Sequence, residues 1–276
     1  MMGTTLNLIA SYAKSGSNWT RMVLENYLVD GDAPVDIWKP HLVANGFARS
    51  DFEWVMGVSS LHLNTREVDD LMPRYLSEAL DAASEPLFFK IHCLNDGLFA
   101  AGTLPRVRVV YLIRNPLDVA VSHSHHFEGD TAAAVARLSR EEAMYNDPSK
   151  YLGGLLPIRS GTWSHHVSSW TSDPPFPVEV LRYEDMLADP ETQFARMIRL
   201  FFGEVDQDRL RKAIAFSAFD ALKAQERSGG RAFHKHRGES FFRKGQADTW
   251  KQELTPDQVE AICSQHAGVM RRFGYQ

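Results

Sequence analysis

Three runs in the sequence, LNLIAS, PLFFKI and VRVVYLI, are apolar at nearly every position, and stretches with helical spacing separate them. A strand apolar at consecutive positions must be covered on both faces, and interposed helices supply that cover. The pattern therefore predicts an α/β fold with a central, mostly parallel sheet flanked by helices. Strands are expected at Leu6 to Ser11, Pro86 to Ile91, Val107 to Ile113 and Val178 to Arg182. Helical periodicity runs over Asn18 to Leu28, Glu67 to Ala83, Leu117 to Phe127, Gly161 to Trp170, Glu191 to Phe202, Asp220 to Arg227 and Pro256 to Phe273. Pro116 and Pro256 fall at first-turn positions, where the missing N–H costs nothing. No Pro/Gly/Ser-rich linker or charge boundary divides the 276 residues, so one domain over 1–276 is expected.

Composition narrows the function classes. A net charge of -5 argues against a nucleic-acid binder. Cys93 and Cys263 are the only cysteines and lie far apart, which fits a reducing cytoplasm better than a disulfide framework. The N-terminus lacks a basic segment followed by a long apolar run. No stretch approaches the ~20 apolar residues of a membrane span. His123, His125, His126, His165 and His166 have no cysteine or carboxylate at ligand spacing, so no metal is expected, and they read as surface or acceptor-pocket residues.

Three segments carry chemistry. IASYAKSGSNW reads as strand, turn and helix, and such a turn offers backbone N–H groups and the positive end of a helix dipole to an anion. Lys14 precedes Gly16, so the ordinary phosphate-loop order of glycine then lysine is absent. In IRNPLDVAVSHSHHF, Arg114 stands at a strand end, where open α/β sheets bind ligands, and a guanidinium suits a phosphate. Lys90-Ile91-His92 ends another strand. A hydroxyl attacking an electrophile must lose its proton, and a histidine of pKa near 6.5 can accept it. Read alone, each has an ordinary structural explanation: a capped βα turn, a surface ion pair, a strand-end histidine.

Taken together, the lysine-before-glycine turn, the RNPxDxxxS segment and the later RKG tripeptide resemble the cytosolic-type sulfotransferases that use 3'-phosphoadenosine 5'-phosphosulfate (PAPS). The matches run in order from residue 9 to about residue 251. The resemblance implies that Lys14, Ser15, Gly16, Ser17, Asn18 and Trp19 hold the 5'-phosphosulfate. It implies that Arg114, Ser122, Arg243, Lys244 and Gly245 hold the 3'-phosphate. Trp19 and Phe219 would flank the adenine, and Tyr183 and Ser217 match further nucleotide contacts. His92 falls on the catalytic base, with Lys14 and Lys90 placed to offset charge in the transition state. PAPS would be the donor, 3',5'-phosphoadenosine (PAP) the product, and a small-molecule hydroxyl, phenol or alcohol, the acceptor. Neither nucleic acid nor membrane is an expected partner. The Gly-, Arg- and His-rich stretch around 228–245 would be a mobile lid.

The chain also departs from that family. Ala13 replaces a proline before the loop lysine, Ser17-Asn18 replaces two threonines, Ile91 replaces a threonine, and Asp248 stands where a glycine precedes Asp-Trp. In the segment matching the family's dimer motif, Lys251, Thr255 and Glu260 are in register but Pro256 replaces valine, leaving a homodimer open. GTWSHHVSSWT is similar to bacterial members that sulfate natural products. Two other readings stay open: a metal-dependent nucleotide kinase, and a non-catalytic PAPS- or PAP-binding protein. Trp38, Phe47, Phe52 and Trp54, and the stretch from Tyr145 to Leu156, are candidates for an apolar acceptor pocket or for plain core.

Overall fold

A computed structural model describes residues 4–99, 106–145, 153–228 and 245–275. The first half contains β1 (Leu6–Ser11), α1 (Ser17–Val29), β2 (Val43–Asn45), α2 (Arg49–Met56), α3 (Thr65–Ala82), β3 (Leu87–Ile91), β4 (Val107–Ile113), α4 (Pro116–His123) and α5 (Thr131–Leu138). The second half contains β5 (Met144–Tyr145), β6 (Ile158–Arg159), α6 (Trp163–Thr171), β7 (Val178–Arg182), α7 (Tyr183–Ala188), α8 (Pro190–Phe202), α9 (Gln207–Phe216), α10 (Phe219–Ser228), α11 (Trp250–Glu253) and α12 (Pro256–Arg272). Five strands form one sheet in the order β2-β3-β1-β4-β7, and every pairing in it is parallel. The α/β fold expected from the apolar runs is the one observed. A small antiparallel pair, β5 with β6, stands apart.

The two faces of the sheet are sealed by different helices. Leu6, Leu8, Ala10, Val109, Tyr111 and Ile113 join one cluster with residues of α3, α4, α6 and α12. Ile9, Phe88, Val110, Leu112 and Leu181 join the other, with residues of α1, α8 and α9. Consecutive strand residues therefore all reach core, which is why the runs are apolar without alternation. Each fully buried large side chain contributes ~1.5–3 kcal/mol.

Seven helices begin on a side chain that accepts from their own first turn: Asn64, Asn115, Asp130, Thr162, Asp189, Asp206 and Thr255. Each such cap supplies about 1 kcal/mol by satisfying an otherwise orphaned N–H. The short α5 and α7 and the three-residue β2 are missing from the periodicity reading, because they are too brief to show a full apolar face. The ten-residue α9 is missing because it buries only Leu210 and Ala213. The helix after Pro116 also ends sooner than its pattern implies. It gives way at Ser124 to a wider turn over Ser124–Glu128, where the Ser124 hydroxyl donates back to the Val121 carbonyl at 2.9 Å.

The candidate aromatic pocket does not form as one wall. Phe47 and Phe52 are core, Trp54 is 88% exposed, and Trp38 packs near Met22, Ile37 and Leu222. Of the second stretch, Tyr145 and Leu156 are buried in the main core.

The strand order creates a crevice. From β1 the chain turns to one side of the sheet toward β2 and β3, and from β4 it leaves toward β7 on the other. α1 and α4 accordingly cover opposite faces. The carboxyl ends of β1 and β4, adjacent strands whose chains depart in opposite directions, frame the place where such sheets bind ligands. Among the described residues no helix is long and apolar enough to cross a membrane.

Candidate active site

The β1–α1 turn is held in a conformation few residues adopt. Lys14 and Gly16 both lie in the left-handed region, at φ 74° and 98°. A Cβ on Gly16 would stand 2.8 Å from Cδ2 of Tyr183, so space as well as φ demands glycine. For Lys14 the conformation costs about 1–3 kcal/mol, and its carbonyl accepts from Nη1 of Arg114 at 3.1 Å. The twist starts α1 immediately on Ser17, with no side-chain cap and no acidic residue in the first turn. Its leading N–H groups face outward at the positive end of the helix dipole. The Ser15 hydroxyl is fully buried yet meets no hydrogen-bond partner, and the same holds for the indole N–H of Trp19. Orphans of this kind cost about 1–3 kcal/mol each unless something binds them.

Lys90 and His92 come to this turn from β3. The β1–β3 register sets Ile9 opposite Lys90 and Ala10 opposite Ile91, which carries His92 level with Ser11. The Lys90 ammonium donates to Oδ1 of Asn18 at 3.0 Å, linking strand end to helix start. Burial, and next the Arg21 guanidinium, push its pKa down to about 7. Nδ1 of His92 lies 2.9 Å from the Ser11 carbonyl, with the Ser11 hydroxyl 3.2 Å away. A carbonyl only accepts, so Nδ1 carries the hydrogen and Nε2 keeps its lone pair. Burial, and then the Lys90 charge, lower the His92 pKa to about 3, so the ring is neutral at ordinary pH.

A buried tyrosine–histidine set backs His92. His166 donates from Nε2 to the His92 carbonyl at 3.2 Å, and Nδ1 of His166 accepts from the Tyr111 hydroxyl at 2.9 Å. The Tyr145 ring lies 6.0 Å from His92 and 6.2 Å from both Tyr12 and His123. His123 and His166 are both fully buried. The reading of these two as surface or acceptor-pocket residues is therefore corrected. Imidazoles tolerate this core because they stay neutral, and both nitrogens of His166 are satisfied. His125 does meet solvent and pairs with Glu253 at 2.6 Å, while His165 pairs with Asp96 at 3.0 Å.

The β4–α4 turn supplies struts. Arg114 donates from Nη2 to the Gln246 carbonyl at 3.1 Å as well as to Lys14, and its Cζ stands 4.4 Å from the centre of the Tyr183 ring. One guanidinium thus joins the β1–α1 turn, α7 and the segment after residue 245. Its Nε is buried without a partner. Asp118, 1% exposed, receives the N–H of Asp248 at 2.8 Å, the Thr249 hydroxyl at 2.9 Å and the N–H of Trp250 at 3.2 Å. Asp118 is a site residue the motif reading passed over, although it is the Asp of RNPxDxxxS. The signal available was an acidic residue in the first turn of an otherwise apolar helix. Ser122 is half-buried one turn beyond it.

Of the remaining positions, Trp19, Ser217 and Phe219 lie along α1, α9 and α10. Trp19 and Phe219 both pack against Met22, Ile37 and Leu222. The Ser217 hydroxyl is buried and accepts from Nδ2 of Asn26 at 3.0 Å, tying the end of α9 to α1. A Cβ on Gly245, at φ 60°, would lie 2.5 Å from the Phe219 ring, so only glycine lets that segment pass. Asp248, standing for a glycine, takes φ 63°, a conformation Asp adopts more readily than most residues. Pro256 occupies the first turn of α12 behind its Thr255 cap, a helix-starting role. Arg243, Lys244 and nearly all of the lid around 228–245 lie outside the described residues.

With this geometry in hand, comparisons with known proteins are informative. The family model described as "Sulfotransferase domain" matches residues 5–274. The chain is similar to cytosolic sulfotransferase 14 of Arabidopsis thaliana, 29% identical over 244 residues, covering 82% of this chain and 69% of the relative. It is similar to sulfotransferase 2A6 of Rattus norvegicus, 24% identical over 263 residues, with 92% and 81% covered. Among solved structures, a mouse sulfotransferase complexed with PAP superposes with a TM-score of 0.59 at 18% identity, covering 97% of this chain and 85% of that one. A retinol dehydratase in complex with retinol and PAP gives 0.61 at 20% identity, with 98% and 82% covered. At these identities the two structures speak for the fold.

Proposed function

The chain belongs to the sulfotransferase-domain family, and from that premise we propose that it transfers a sulfuryl group from PAPS to the hydroxyl of a small molecule. The observation that carries the reading is His92. Its Nδ1–H is spent on the Ser11 carbonyl, so Nε2 keeps a free lone pair near Lys90 and the open start of α1. The residues suit the donor. The unpartnered Ser15 hydroxyl, the uncapped first turn and the glycine-only approach at Gly16 form a cradle for an anion.

In this reading Lys14, Ser15, Gly16, Ser17, Asn18 and Trp19 bind the 5'-phosphosulfate. Arg114, Ser122, Arg243, Lys244 and Gly245 bind the 3'-phosphate, with Trp19 and Phe219 on the adenine and Tyr183 and Ser217 alongside. The bound donor supplies an activated sulfuryl group. His92 takes the proton of the acceptor hydroxyl at Nε2, which sharpens the oxygen as a nucleophile and holds the proton until product leaves. Lys14, Lys90 and the N–H groups of α1 offset the negative charge that grows as the bond to the leaving phosphate lengthens. Preplacing them stores the unfavourable proximity of cations in the fold and releases it in the transition state.

Titration with PAP, followed by thermal unfolding, tests the donor half. At 100 times Kd the ligand should stabilise the protein by about 2.7 kcal/mol. A melting curve indifferent to PAP sinks the reading. Acceptor identity is then open to a screen of phenols and alcohols with labelled PAPS, in which a sulfated product from no member would favour a non-catalytic binder.

A further inference from the structure

One turn past Asn18, α1 carries Arg21. Long side chains on a helix lean toward its N-terminus. That carries the Arg21 guanidinium back toward Asn18 and toward the Lys90 ammonium held there at 3.0 Å. Arg21 is half-buried, and its Nε is buried without a hydrogen-bond partner. The nearest acid along the same helix, Glu25, is fully buried, and its carboxylate is already engaged by the backbone that leads into β2. It accepts from the N–H of Val43 at 2.7 Å and from that of Leu42 at 3.0 Å.

The result is a guanidinium and an ammonium that both reach toward Asn18 at the end of β3. Their repulsion is felt at Lys90, whose proton is loosened first by burial and next by Arg21. Two neighbouring cations cost stability in the free protein, and Glu25, its oxygens held by backbone N–H groups, offsets that only in part. They become favourable once an oxyanion sits between them, because both then make charge-assisted hydrogen bonds. Glu25 draws on Arg21 only through space, and the buried Nε of Arg21 meets no hydrogen-bond acceptor. The geometry instead leaves the guanidinium edge for something that arrives.

We propose that Arg21 is an oxyanion-binding residue of the active site, gripping together with Lys90 an anionic group beside the reacting sulfur. The inference rests on the sulfotransferase reading and extends it to a position outside the motifs that carry that reading. Two sources share this chemistry: the sulfuryl oxygens of the donor, and a carboxylate or phosphate borne by the acceptor.

The experiment compares Arg21→Met and Arg21→Lys with wild type. PAPS and PAP differ by the sulfuryl group alone, so their Kd ratio, measured calorimetrically without acceptor, reports the first source. If Arg21 grips the sulfuryl, Arg21→Met should shift that ratio at least ten-fold against PAPS, and Arg21→Lys should restore part of it. If it grips the acceptor, the ratio stays put. In that case the KM for carboxylated phenols should rise at least ten-fold while neutral phenols of the same frame are unaffected. An unchanged ratio together with an unchanged preference for carboxylated acceptors overturns the proposal. Wild-type binding of PAP in the same titrations separates this failure from failure of the parent reading. Arg21→Gln, closer in shape, serves if Arg21→Met melts at lower temperature.

Discussion

Two turns at the carboxyl ends of neighbouring strands, β1–α1 and β4–α4, start from the same local problem and solve it oppositely. Each must convert a strand into a helix whose first N–H groups have no intrahelical partner. The β4–α4 turn satisfies itself. Asn115 caps Leu117, Pro116 removes one donor, and the Asn115 N–H goes to Glu184 at 3.0 Å. The β1–α1 turn leaves its helix uncapped, buries a bare Ser15 hydroxyl, and bends two residues through left-handed backbone. In the proposed reading the cap of the first turn is scaffold, Arg114 apart, and the second turn is where the donor binds. What separates them is unmet hydrogen-bonding capacity held in place by neighbours, chiefly Arg114 and Tyr183.

If the open turn and the strand end beside it hold the chemistry, substitutions there should move activity, and loss of the Asn115 cap that closes the other turn should move only stability. His92→Ala carries the largest expected effect. Loss of the base should lower kcat by about 10²- to 10⁴-fold, with PAP affinity within a few-fold of wild type by calorimetry. A variant turning over at the normal rate would break the contrast at its centre.

Gly16→Ala comes next. Backbone strain of about 1–3 kcal/mol adds to the Tyr183 clash, so PAP affinity should fall by one to two orders of magnitude, beyond any loss in Tm. Asp118→Ala should strand the buried N–H groups of Asp248 and Trp250 at about 1–3 kcal/mol. Since Asp118 anchors the segment after Gly245, urea melts and nucleotide affinity should both weaken.

A pH experiment sharpens the electrostatic half. With its pKa lowered to about 7, native Lys90 binds fewer protons than the unfolded chain above that pH. Stability therefore gains as pH rises from 7 toward the ordinary lysine value of about 10.4. Binding an anion pulls the proton back, so PAP or PAPS binding at pH 8 should take up about one proton, read from the buffer dependence of calorimetric heats. Lys90→Met should abolish that uptake. The smallest effect belongs to the closed turn: Asn115→Ala should cost about 1 kcal/mol of stability and leave PAP affinity unchanged.

Much of this arrangement was legible in the chain. The apolar runs named the strands, and their lack of alternation named a sheet covered twice. IASYAKSGSNW announced the strand, turn and helix that β1 and α1 form, and Lys90 and His92 stood at the end of a strand, where the structure has them. Brief elements such as β2 and α7 escaped, because a few residues carry too little period to distinguish them from loop. The acceptor-pocket expectation failed for Phe47 and Phe52 because an aromatic residue in sequence looks the same whether it lines a cavity or fills a core.

By itself the sequence determined what near neighbours decide: backbone preferences, caps, glycine-only turns and the period of burial. These are energies of adjacent residues, so they can be read along the chain. Only the tertiary structure decided that Asn18 would hold Lys90, that Asp118 would clasp residues 248–250, and that His166 and Tyr111 would stand behind His92. Those contacts join segments far apart in the chain. Their existence depends on strand order and register, which the whole core sets at once. The open turn's meaning is of that second kind, since an unsatisfied hydroxyl becomes a site only when distant residues keep it buried, bare and facing cations.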